Sequence, residues 1–173
     1  MNQRCEPPPA LLGCYRRRLD GDRRLRLPGT WTPRGGCTWL LFPRHLLPPC
    51  QQTSRELFLI PAGREVLREI VSTSRTNAGA PSIEAALALL RENAGRLSLA
   101  QGIATAIRIG PTSPRFTITA AQLNWLGCRG RTLILAGGLT SARILTPAKW
   151  AAWQREVERT IFMTSPLTSK THD

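Results

Sequence analysis

A chain of 173 residues in which 42% of side chains are hydrophobic can bury a real core, which argues against disorder throughout. Its formal charge of +13 comes from 24 Lys and Arg against 11 Asp and Glu, and only Lys149 and Lys170 are lysines. Such an arginine excess favours a polyanionic partner over neutral small-molecule chemistry.

Residues 1–13 read as a flexible, proline-containing arm, and Met1 to Pro9 has no apolar run of signal-peptide length. The segment Tyr15 to Pro28 packs six arginines around the turn-forming trio Asp20-Gly21-Asp22. It alternates as two strands, joined as a hairpin or as strand, loop and strand. Leu25 and Leu27 share one face, with Arg24 and Arg26 on the other. Arg34-Gly35-Gly36 reads as a turn, Cys37 to Phe42 as a buried strand, and Pro43 to Gln52 as a proline-rich loop. Leu57 to Ile60 is a further strand, after which Pro61 opens a helix carrying Val66, Leu67 and Ile70 at helical spacing.

Residues 72–101 are read as a linker and a connecting helix. The helix is capped by Ser82, lined by Ile83, Leu87, Leu90 and Ala94, and stopped by Gly95. The pattern then starts again. Strands are predicted over 103–109 and 115–118 around a turn at 110–114, followed by a short helix with Thr119 and Gln122 at capping-box spacing and Gly127 as its stop. Thr132 to Ala136 is an apolar strand, Gly137-Gly138 turns the chain, and Ala142 to Leu145 is another strand. Thr146 and Pro147 open a last helix whose apolar face holds Trp150, Trp153 and Val157. Residues 163–173 read as a flexible tail.

The order of strand, charged turn, strand, helical turn, glycine, strand, strand and helix occurs twice. A shift of 91 residues aligns Arg24 with Arg115, Leu25 with Phe116, Leu27 with Ile118, Gly36 with Gly127 and Cys37 with Cys128. Two copies are too few for a solenoid, so an intertwined, pseudo-two-fold pair over 14–71 and 102–162 is expected, in the α+β class.

At Leu19-Asp20-Gly21-Asp22-Arg23-Arg24-Leu25-Arg26-Leu27-Pro28, with Trp31 and the Ile60-Pro61 helix start, the chain resembles the first repeat of the MraZ family. Pro114 to Ile118, Leu133 to Gly138 and Pro147 to Trp150 are similar to the family's second repeat. The family motif is D-x-x-x-R with Gly before the Arg. Asp20 and Arg24 keep that spacing, but Arg23 replaces the Gly, and in the second copy Pro111 and Pro114 replace the Asp and Gly and leave only Arg115. The resemblance implies two tandem AbrB-like swapped-hairpin β-barrel halves with short helices. It also implies a ring-like homo-oligomer that binds double-stranded DNA sequence-specifically and regulates division and cell-wall genes.

Arginine suits such a task because its planar fork can bond bidentately to guanine or to phosphate. Arg24 is the first candidate for base contact, oriented by Asp20; the plainer alternative is a surface ion pair worth about 0–1 kcal/mol. Arg16, Arg18, Arg23 and Arg26 are candidates for phosphate contacts, and Arg115 for a weaker contact in the second copy. The five tryptophans are expected to pack rather than to stack on bases.

No catalytic residue, metal site or cofactor is expected. His45 and His172 are the only histidines, and five cysteines without a C-x-x-C pair suggest neither a zinc module nor a disulfide scaffold. With no stretch of 18 apolar residues, a cytoplasmic protein with no membrane partner is expected, and the resemblance implies association with the nucleoid. Two alternatives stay open. One is an AbrB-type antitoxin or protein-interaction module, the other a structural RNA-binding protein.

Overall fold

The structure is a computed structural model and describes residues 10–32, 36–47, 54–72, 80–100 and 102–164, with side chains to 161. Most of the N-terminal arm, the turn at Arg34 and Gly35, the second half of the proline-rich loop, the linker at 73–79 and the tail from 165 lie outside the described residues, as do Cys5 and Cys50.

The chain is α+β. Among the described residues, eight strands and four α-helices follow the order β1 (Cys14–Arg18), β2 (Arg24–Arg26), β3 (Cys37–Pro43), β4 (Leu57–Pro61), α1 (Arg64–Ser72), α2 (Ile83–Arg96), β5 (Thr105–Ile109), β6 (Arg115–Thr117), α3 (Ala120–Leu126), β7 (Thr132–Gly138), β8 (Ser141–Leu145) and α4 (Pro147–Thr164). A 3-10 turn at Gly29–Trp31 occupies the first copy's place for α3. The repeat is exact where the sequence aligns best: β1 and β5, β2 and β6, and the starts of the 3-10 turn and α3 all stand 91 residues apart.

Six strands form one antiparallel sheet in the order β1-β7-β8-β4-β3-β5, and β2 pairs with β6 as a separate two-stranded ribbon. With each strand replaced by its counterpart, the six-strand order reads the same from either edge. The copies therefore exchange strands: β1 pairs with β7 of the second copy, and β5 pairs with β3 of the first. β1 and β2 do not pair with each other, so Asp20-Gly21-Asp22 joins strand to loop to strand and is not a hairpin turn.

Alternation along the strands gives the sheet two apolar faces. Toward the ribbon, Trp39, Leu41, Leu57, Leu59, Leu133, Leu135 and Ile144 pack with Leu25, Leu27, Phe116 and Ile118. Trp31 fills this core from the first copy and is wholly buried. Its counterpart 91 residues on is Gln122, also wholly buried, whose amide donates to the Ile103 carbonyl (3.2 Å) and the Thr105 hydroxyl (3.1 Å). On the opposite face α1 and α2 cover Leu40 and Phe42, while α4 sets Trp150 over Ile134, Ala136 and Leu145.

Four boundaries differ from expectation. Pro61 ends β4 opposite Trp39 instead of opening a helix, and α1 starts at Arg64. α2 passes through Gly95 to Arg96. Gly137 and Gly138 lie inside β7 instead of turning the chain, and Leu139, with φ of 58°, takes the turn. The end of the expected flexible arm is held: Leu11 is wholly buried, its N–H donates to the Leu139 carbonyl (2.8 Å), and the Trp31 indole donates to the Leu12 carbonyl (2.9 Å).

No helix among the described residues is long and apolar enough to cross a membrane. The three described cysteines, Cys14, Cys37 and Cys128, form no disulfide.

Candidate nucleic-acid interface

The ribbon is the point at which the two copies meet. Leu25 lies opposite Phe116, Arg24 opposite Thr117 and Arg26 opposite Arg115. Period-2 alternation turns Leu25 and Phe116 into the core and leaves Arg24, Arg26, Arg115 and Thr117 exposed on one outer face. Matching backbone bonds close its ends: Ile118 N–H donates to the Arg23 carbonyl (3.0 Å) and Leu27 N–H to the Pro114 carbonyl (2.8 Å).

The loop before β2 is built around Asp20. Its Oδ1 accepts the backbone N–H groups of Asp22 (3.0 Å) and Arg24 (2.8 Å), and its Oδ2 accepts Arg24 Nε (2.8 Å). Asp22 takes the other arm of the fork, with Oδ2 2.7 Å from Arg24 Nη2. Two acids thus hold one guanidinium in a fixed orientation while its side chain stays 45% exposed. The Arg24 backbone N–H, foremost, and the Arg24 guanidinium hold the Asp20 carboxyl below the ordinary carboxylate range. The hydrogen bond to Asp20, then the charges of Asp20 and Asp22, push Arg24 the other way, so both groups stay charged.

Arg23 sits in the left-handed region, with φ of 59°, between Asp20 and the ribbon. The physical reason a glycine suits this position is therefore visible in the backbone.

In the second copy Pro111 stands in the place of Asp20, and Arg115 has no acid from its own loop among the ion pairs of the described residues. Across the ribbon its Nη1 lies 3.9 Å from Asp20 Oδ2, so one carboxylate of the first copy faces the arginines of both. Arg26 and Arg115 stand directly opposite each other, a like-charge pair that an anion laid along the ribbon would relieve.

Of the other arginines singled out from the sequence, Arg16 and Arg18 are exposed on β1, opposite Ile134 and Thr132. They belong to the six-stranded sheet, on the face away from the shared core, and are not part of the ribbon face. Trp31 and Trp39 are wholly buried, and Trp150 stacks on Trp153.

Sequence reasoning missed a second charged cluster. Glu56, only 8% exposed, lies between Arg44 (4.0 Å) and Arg143 (3.9 Å) and bonds the Ser54 hydroxyl at 3.1 Å. The two arginines are 99 positions apart and meet only because β4 pairs with β8, so no local signal marks them. No protein-family model matches the chain, and no curated protein matches it.

Proposed function

We infer that the protein is a sequence-specific, double-stranded DNA-binding transcriptional regulator resembling the MraZ family. Its two tandem AbrB-like halves would be of the swapped-hairpin β-barrel kind, and its assembly a ring-like homo-oligomer. The observation that carries this reading is the ribbon, in which arginines from both copies share one exposed face and Arg24 is held ready by two acids. A two-stranded ribbon is one of the elements that fits the DNA major groove. Arg24 then reads a base edge, and Arg23, Arg26 and Arg115 bind phosphates. Arg16 and Arg18, on the sheet's outer face, serve phosphates only where DNA or a neighbouring subunit reaches around the edge strand. Regulation of division and cell-wall genes and association with the nucleoid follow from the family likeness.

The test is genome-wide mapping of bound DNA combined with fluorescence anisotropy on the enriched sequence. A short repeated site near a promoter is expected, and Arg24→Ala should lose about 1–3 kcal/mol of discrimination at one base position. Unchanged affinity and preference in that variant would sink the reader assignment.

A second reading has its own observation. Trp153 and Ile161 leave 38% and 57% of their surfaces exposed on α4, an apolar stripe suited to a protein partner, as in an AbrB-type antitoxin. Co-purification of a small toxin would favour that reading. Equal, sequence-blind binding of RNA and DNA would favour a structural RNA-binding protein.

A further inference from the structure

On the face of the sheet away from the ribbon, a cavity of about 640 Å³ lies between residues 54–56, β8 and the first turns of α4. That volume falls within the roughly 300–1,000 Å³ of small-molecule sites. Its wall carries four cations, Arg44, Arg55, Arg143 and Lys149, against two acids, Glu56 and Glu156. Leu145, Ala152 and Trp150 supply an apolar floor.

The cations are not consumed by the acids. Glu56 stands 4.0 Å from Arg44 and 3.9 Å from Arg143, beyond hydrogen-bond reach, so it offsets their charge without occupying their N–H groups. Each guanidinium is instead seated over a ring: Arg44 over Phe58 at 5.2 Å and Arg143 over Trp153 at 4.9 Å. Stacking fixes the plane of the fork and leaves its edge donors available. Among the described residues Lys149 has no ion pair. Fixed donors, a surplus of positive charge and an apolar floor are the features that hold a phosphate joined to an organic group.

We propose that this cavity binds a phosphorylated small molecule, with the phosphate on Arg44, Arg143 and Lys149 and the organic part on Trp150, Ala152 and Leu145. Arg44 and Glu56 come from the first copy and Arg143, Lys149 and Trp150 from the second, so the ligand bridges the two halves. This site is independent of the ribbon and of its DNA reading.

The experiment titrates the full-length protein with adenosine monophosphate, inorganic phosphate and adenosine, read by tryptophan fluorescence and by NMR shifts of the indole N–H groups. The monophosphate should saturate below about 1 mM and shift Trp150 and Trp153, inorganic phosphate should bind more weakly, and adenosine should not bind. Lys149→Glu, a change on the exposed helix surface, should weaken the monophosphate at least about tenfold, as should Arg143→Gln, with the melting temperature recorded for both. Arg24→Ala should leave this binding unchanged. Failure of the monophosphate to saturate by about 10 mM would overturn the proposal. So would binding that is lost in Arg24→Ala and kept in Lys149→Glu, which would place the anion on the ribbon.

Discussion

At Arg23 the backbone takes a conformation that costs a residue with a β-carbon about 1–2 kcal/mol. Replacing it with glycine removes that strain but also frees the unfolded chain, which returns about 0.4–1 kcal/mol. Arg23→Gly should therefore raise stability by about 0–1.6 kcal/mol in urea denaturation, and, where Arg23 meets a phosphate as proposed, should lower the salt dependence of the proposed DNA binding by about one ion. Asp20 is the opposite case, a residue whose charge is held by its surroundings. With its carboxyl pushed down, the folded loop keeps the negative charge that the unfolded chain gives up first. The contribution to stability is present above the ordinary carboxylate range of about pH 4 and is lost as pH falls below it. Asp20→Asn keeps the shape but removes the charge that faces Arg24 at 2.8 Å and Arg115 at 3.9 Å. Loosening Arg24, the arginine whose Nε bonds Asp20, should weaken the proposed DNA binding by roughly 2- to 10-fold in anisotropy, and should alter the Arg24 Nε NMR signal even without DNA. The Asp20–Arg24 pair was legible from its spacing of four in a turn-rich loop. The approach of Asp20 to Arg115 was not, because it depends on strand register between segments about ninety residues apart.

The same division between local and non-local information runs through the elements. Ser82 and the Thr119–Gln122 box mark helix starts by side chains that bond the first free N–H groups, and both caps form as the sequence indicates. Pro61 and Gly137-Gly138 misled because each obeys a non-local demand: Pro61 completes the pairing of β4 with β3, and Gly137 leaves room for a crossing chain. A β-carbon at Gly137 would sit 2.1 Å from the Leu11 carbonyl oxygen and 2.7 Å from the Trp31 ring, whereas one at Gly138 meets nothing closer than 3.6 Å. Gly137→Ala should thus cost at least about 1–3 kcal/mol in urea denaturation by lifting the Leu11 segment, with Gly138→Ala far milder. His45 makes a pH-dependent contribution in the turn after β3, where its ring stacks on Trp125 at 4.5 Å and Nδ1 has no hydrogen-bond partner. Burial pushes its pKa down, so the folded chain binds a proton less readily than the unfolded one. The corresponding stability is present above about pH 6.5 and is lost as pH falls below it. Denaturation midpoints at pH 7.5 and 5.5 should differ in the parent and converge in His45→Phe.

On the scale of the whole molecule, the duplication was visible in sequence as a shift of 91 and led to the expectation of an intertwined pair, but which strand of one copy pairs with which strand of the other was not visible. Periodicity says which residues face the core, but a strand bears no local mark of which apolar strand it will pair with. The exchange has a physical consequence. β1 bonds along its whole length to β7 and β5 to β3, so each half taken alone would present two unpaired strands and an open core. The connection adds to this, because Ala86 and Leu90 of α2 pack with Leu40 and Phe42 of the first copy. Chains 1–79 and 80–173, produced separately, should each lack a cooperative unfolding transition as monomers. Mixed, they should form a one-to-one complex with the far-ultraviolet dichroism of the intact protein and a melting temperature that rises with concentration, since association now supplies what the covalent link did. A half that folds cooperatively as a monomer would show that the exchanged strands are dispensable. If only the mixture folds, the proposed DNA binding should appear with the complex and vanish on dilution, because Arg24 and Arg115 share a face only when β2 meets β6.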